Sequence, residues 1–149
     1  MLAAAACQYD PFAHEFTKVR PETGTLVGVY ELDDESTEML RRAYKLVPPS
    51  TRFVLRSDGT FSITDVPTCW RSLTDCSSAT ESADGTWEVA KVDEWWEVKL
   101  RCTKIQGEPS DYGLGANVRG DRPPQLLHFT VGDPDLGEAL AFRRVHEKR

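Results

Sequence analysis

The sequence predicts an all-β domain with one helix: an antiparallel up-and-down β-barrel of about eight strands, with the α-helix between the first and second strands. Three observations carry this. Apolar and polar residues alternate with period two in short segment after short segment. Turn-forming pairs such as Asp58-Gly59 separate those segments. Only one stretch carries an apolar stripe at helical spacing.

The first strand spans Leu26 to Leu32, where Leu26, Gly28, Tyr30 and Leu32 alternate with Val27, Val29 and Glu31. The helix follows. Asp34 is its expected cap, Glu35 and Glu38 sit early, and Arg41, Arg42 and Lys45 sit late, the order that suits a helix dipole. Met39, Leu40, Ala43, Tyr44 and Val47 form its stripe, and Pro48-Pro49 stop it. Thr51–Ser57 and Thr60–Thr64 make a hairpin around Asp58-Gly59, with Phe53, Leu55, Phe61 and Ile63 on one face. Pro67–Ser78 reads as a polar loop and Asp84-Gly85 as a second turn before a strand at Thr86–Val92. Trp95–Ile105 is the longest strand. Trp96, Val98, Leu100 and Cys102 face one way and Trp95, Glu97, Lys99 and Arg101 the other, so one face is core and one is water. After a loop at Gln106–Tyr112, strands are expected at Gly113–Arg119, Gln125–Val131 and Glu138–Val145. An up-and-down sheet of this kind closes to remove its exposed edges.

The 149 residues suit one domain, large enough to bury a core without metal or disulfide staples. The net charge of −6 excludes nucleic acid as the expected partner, since binding phosphates takes a basic footprint. The cluster Arg143, Arg144, Lys148, Arg149 reads as a solvated tail. No apolar run has the ~20 residues of a membrane-crossing helix.

The N-terminus, Met1-Leu2-Ala3-Ala4-Ala5-Ala6-Cys7, is apolar and rich in small residues. It resembles the end of a bacterial lipoprotein signal, in which small residues precede a lipidated cysteine. Gln8–Thr25 is polar and aperiodic, with Pro11, Pro21 and Gly24, as a tether would be. The four cysteines Cys7, Cys69, Cys76 and Cys102 allow three complete pairings. In an oxidising compartment, Cys69 and Cys76 are neighbours that a disulfide could join across a polar loop; in a reducing one they are two thiols.

Leu26-Val27-Gly28-Val29-Tyr30, Asp58-Gly59-Thr60-Phe61, Gly85-Thr86-Trp87 and a late Leu-x-Phe are similar to the strand pattern of lipocalin-like bacterial lipoproteins, small calycin-type barrels. The likeness spans residues 25–145, and Cys7-Gln8-Tyr9-Asp10-Pro11 resembles that group's mature start. The chain departs from true lipocalins in one respect. Their Gly-x-Trp lies on the first strand, whereas here that strand carries Gly28-Val29-Tyr30 and Gly85-Thr86-Trp87 comes mid-chain. The resemblance implies a tether at residues 1–24 anchored by lipid on Cys7, a barrel at 25–149, and a place at the periplasmic face of the cell envelope. Without the lipid, a cytoplasmic protein is expected, in contact with a membrane nowhere.

No catalytic constellation or cofactor site is expected. His14, His128 and His146 are isolated from one another, with His128 on the outer face of its strand. Asp133-Pro134-Asp135-Leu136-Gly137-Glu138 reads as a turn rather than a calcium loop, because it lacks the further oxygens that calcium takes. Ser72, Ser77, Ser78 and Ser82 cluster in a polar loop with no Gly-x-Ser-x-Gly elbow, which leaves a hydrolase as a remote alternative. Cys102 and His128 fall on opposite faces, and the acids Glu31, Asp33, Asp34 and Glu35 suit a helix start.

Binding is the better expectation, in two forms. In the first, a non-catalytic envelope lipoprotein has a packed barrel and meets a protein partner through Trp95 or the 106–112 loop. Adjacent Trp95 and Trp96 point to opposite faces, so the outward one is exposed or covered by the helix or the 67–78 loop. In the alternative, Tyr30, Phe53, Phe61, Trp87, Trp96 and Phe129 line a cavity for a small apolar ligand, with the helix as its lid. Oligomeric state stays open in both.

Overall fold

The computed structural model of the chain describes residues 10–71 and 75–146. Its eight strands form one closed antiparallel barrel in which each strand pairs with the next and the last with the first. They are β1 (Gly28–Leu32), β2 (Arg52–Leu55), β3 (Thr60–Pro67), β4 (Thr80–Val92), β5 (Trp95–Ile105), β6 (Glu108–Arg119), β7 (Leu126–Thr130) and β8 (Ala139–Val145). The ring closes where Leu32 of β1 stands opposite Phe142 of β8.

Alternation sends one residue in two inward. Tyr30, Phe53, Phe61, Val98, Leu100, Leu127, Phe129 and Phe142 are all buried in one core. Their rings meet across the lumen. Phe53 lies 6.0 Å from Tyr30, 6.1 Å from Phe61, 6.0 Å from Phe129 and 5.5 Å from Phe142, ring centre to ring centre. A barrel of eight strands is just wide enough to be filled by side chains, and this one is packed with aromatic rings.

One ring comes from outside the strands. The stretch expected as a polar loop opens with a short 3-10 turn, Thr68–Arg71, that drives Trp70 into the core. Trp70 packs edge-on to Phe129 at 5.7 Å, and its indole N–H donates to Glu81 Oε1 at 2.7 Å. The buried Glu81 also accepts two bonds from Arg71, at 2.7 and 2.9 Å. Beside this turn Cys69 and Cys76 form a disulfide, and Cys102 is a buried free thiol.

The helix α2 covers Asp34–Tyr44 after a short turn of helix, α1 (Thr23–Leu26). Its cap is Asp33, one residue earlier than expected, whose carboxylate accepts from the Ser36 N–H at 2.8 Å. Lys45 turns left-handed at φ 56° and ends it, so Val47 lies beyond the stripe and is 91% exposed. Leu40 is buried in the barrel core, while Ser36 holds the outer side by accepting from the Ala141 N–H at 2.8 Å.

Three further elements differ from the sequence reading. Asp84-Gly85 is not a turn but lies within β4, where the register slips by a residue. A Cβ on Gly85 would stand 1.8 Å from the Arg101 carbonyl oxygen, so only glycine lets the strands pass that closely. The 106–112 stretch is mostly strand: β6 starts at Glu108, after a tight turn in which Gln106 and Gly107 both take positive φ. Arg143 and Arg144 lie on β8 rather than in a tail; Arg143 pairs with Glu31 at 2.9 Å.

Removing the Phe53 ring takes a partner from four others. Phe53→Ala is expected to lower the unfolding free energy by about 3–5 kcal/mol, read as a lower urea midpoint. A loss under about 1 kcal/mol would show that the rings do not close the lumen as described.

Candidate functional site

The six side chains expected to line a cavity are not equivalent. Tyr30, Phe53, Phe61 and Phe129 lie in the ring cluster and fill the space a ligand would take. The Tyr30 hydroxyl donates to the Leu26 carbonyl at 2.6 Å, and burial pushes it up to about 12. Trp87 is buried by the β2–β3 hairpin, where its indole N–H donates to the Arg56 carbonyl at 2.9 Å. Trp96 lies at the rim, half-buried, with the Arg20 guanidinium 5.5 Å from its ring. Cys7 lies outside the described residues. Cys102 points into the core, and burial pushes its thiol up to about 11, far from the thiolate a nucleophile needs.

The more informative surface is outside the barrel, where residues 10–20 were expected to belong to a solvated tether. From Asp10 on they instead lie along the wall as a strap. β5 and β6 pair as far as Glu97 opposite Asn117; beyond it β6 continues paired to β7, with Arg119 opposite Leu126. The strap fills the gap that opens. The Thr17 N–H donates to the Val118 carbonyl at 2.9 Å, and the Trp96 N–H donates to the Thr17 carbonyl at 3.1 Å. The Gly120 N–H donates to the Glu15 carbonyl at 2.8 Å, and Phe16 makes an isolated antiparallel bridge with Arg119. Side chains add to this: Thr17 Oγ1 donates to Asp121 at 2.7 Å, and Lys18 pairs with Glu94 at 3.2 Å.

Two aromatic rings of the strap cover the outer faces of β5, β6 and β7. Phe16 packs edge-on to Trp95 at 5.9 Å and to His128 at 5.0 Å; Phe12 lies 5.0 Å from His128. Trp95 and His128 therefore point outward, as alternation requires, yet His128 is only 1% exposed. The strap, not the helix or the 67–78 loop, covers Trp95. Arg119 is 8% exposed, stands 4.6 Å over the Phe12 ring, and pairs with Glu15 at 2.8 Å.

This patch is short of hydrogen bonds. Among the described residues, the buried side-chain polar atoms without a partner are Trp95 Nε1, Arg119 Nε, and both nitrogens of His128. All belong to three side chains beneath the strap. Buried polar groups are otherwise almost always paired, so such a cluster calls for a reason. Burial, and next the Arg119 charge, depress His128 to about 3, which makes it a neutral imidazole at neutral pH.

Beside Trp95 and Arg119 lies an open cleft of about 750 Å³. Phe16, Trp95, Pro124 and Leu126 give it apolar walls; Glu15, Lys18, Arg119 and Asp121 add charge of both signs. A smaller hollow of about 270 Å³ lies between Phe12, Arg119 and the start of α2. No family model, curated protein or solved structure matches the chain. The class of molecule is therefore the one its own geometry defines: a closed eight-stranded antiparallel barrel with a ring-packed interior and an open outer cleft walled in part by an N-terminal strap.

The sequence held one signal for this strap. Phe12 and Phe16 are large aromatics in a segment otherwise read as solvated, and a free tether has no use for them.

Glu15 is the counter-charge of a guanidinium that is far more buried than Glu15 itself. Glu15→Gln leaves that charge uncompensated, and a loss of about 1–3 kcal/mol in unfolding free energy is expected. An unchanged denaturation midpoint would mean the pair contributes nothing to holding the strap.

Proposed function

We propose that this chain is a non-catalytic binding module that works through its outer cleft rather than its lumen, and that lipid on Cys7 holds it at the cell envelope as a lipocalin-like lipoprotein. One observation carries the binding reading. The lumen is taken up by rings in mutual contact, while an open cleft of about 750 Å³ outside it adjoins the Trp95 indole N–H and the Arg119 Nε–H, which lack acceptors. The matching ligand is a small molecule with an apolar body and oxygen acceptors. Its body would lie along Phe16, Trp95 and Leu126, and a small outward movement of the strap would bring its oxygens to the buried donors. Apolar concavity with a few placed polar groups is the usual make-up of such a site. The ring-filled lumen weighs against the alternative of an apolar ligand inside the barrel with α2 as its lid.

The test is a native mass spectrum of the protein purified from its own host, set beside its denatured mass. A small-molecule adduct is expected that is lost on denaturation, is absent from Trp95→Leu, and persists in Phe129→Leu. A clean apo mass, or an adduct lost only from the Phe129 variant, would overturn the outer-cleft reading.

The anchor is tested separately. The N-terminal peptide from the same host is expected to carry acyl mass on Cys7, and Cys7→Ser is expected to move the protein from the membrane to the soluble fraction. An unmodified Cys7 would remove the envelope part of the proposal.

A further inference from the structure

We infer that the strap is an acid-released gate: protonation of His128 expels Phe12 and Phe16 from the barrel wall and uncovers the Trp95–Arg119–His128 face. The geometry makes this imidazole a poor place for a charge. It lies between two phenyl rings at 5.0 Å each, and neither of its nitrogens has a hydrogen-bond partner. A neutral imidazole can persist there; an imidazolium would be buried without an acceptor, which is strongly unfavourable.

The charged neighbours do not rescue it. On β6 the nearest is Arg119, itself a cation; opposite His128 stand Asn117 on β6 and Ala141 on β8, both uncharged. On the strap, Glu15 is committed to Arg119, and His14 is exposed. From α2 and its cap, Asp33, Glu35, Glu38 and Arg42 line the adjoining hollow with Phe12 and Arg119. The charge of Arg119, beside burial, opposes protonation of His128.

The sign follows from linkage. Covered, His128 stays neutral down to about pH 3; released, it titrates near its ordinary 6.5. The released state therefore binds more protons between those values, and falling pH favours it. With those two values, release is favoured about 25-fold more at pH 5 than at pH 7. As a statement about access to the cleft, the inference rests on the binding reading above. As a statement about the strap, it is read from the strap's own backbone and needs no ligand, so either can fail without the other.

The experiment is amide hydrogen exchange on the full chain at pH 7 and pH 5, corrected for intrinsic rates. The reporters are the N–H groups of Thr17, Trp96 and Gly120, whose acceptors lie across the strap–barrel junction. They are expected to be less protected than Leu100 and Phe129 at both pH values, and to lose about 25-fold in protection from pH 7 to pH 5. His128→Phe keeps a ring between Phe12 and Phe16 but cannot titrate, and its reporters are expected to hold their protection; His128→Leu serves if the larger ring does not fold. Equal protection of reporters and core amides would overturn the gate. So would reporters indifferent to pH in the native chain, or an equal loss in the His128 variants.

Discussion

The architecture depends on the contact of aromatic rings across the barrel lumen. Phe53 on β2 meets rings from β1, β3, β7 and β8, so strands far apart in sequence share one packing centre. Rings at such separations attract beyond the area they bury. They also fix the strand register, because a slip of one residue would turn each ring to the outer face. Trp70 extends the cluster from the 3-10 turn after β3. Burying its indole takes an acceptor, and Glu81 supplies one; burying Glu81 takes a counter-charge, and Arg71 supplies that. The Cys69–Cys76 disulfide ties the same turn down.

With the lumen occupied in this way, the open cleft lies on the outer wall. The wall there is not a plain polar face. β5 and β6 diverge past Glu97 and Asn117, and the N-terminal strap supplies the backbone partners that the diverging strands lack. The strap also covers Trp95, Arg119 and His128, whose polar atoms it leaves partly unpaired. Its hold is a balance. Phe12 and Phe16 contribute burial, while Glu15 neutralises Arg119. Against these stands an imidazole whose covered state excludes the proton that its exposed state would bind. Structure, pH response and access to the cleft thus meet at one short segment.

How much of this was legible depended on whether the relevant force was local. Strands β1, β2, β5, β7 and β8 follow from alternation, and the Asp58-Gly59 hairpin from its turn chemistry. Asp84-Gly85 carried the same turn signal and was misleading. Its glycine answers to the Arg101 carbonyl on the neighbouring strand, a contact the local sequence does not contain. The start of β6 was hidden by Pro109 and Ser110, which read as loop until β5 is there to pair with them. Of the cavity residues, the four phenyl and phenol rings were placed inward correctly. That they touch one another rather than a ligand depends on the barrel's width.

The sequence by itself determined the fold class, the inward and outward faces of most strands, the helix between β1 and β2, and the outward direction of Trp95 and His128. These follow from periodicities of two and 3.6 residues and from turn residues, which act between near neighbours in the chain. Only the tertiary structure decided that the lumen is full, that Trp70 reaches it, and that residues 10–20 close over the wall. Each of those depends on residues far apart in the chain coming close in space, such as the Trp70 and Phe129 rings at 5.7 Å, Thr17 and Asp121 at 2.7 Å, or Glu15 and Arg119 at 2.8 Å. Such contacts leave no period in the sequence, because the side chains that make them are selected by the space left between strands and not by their neighbours along the chain.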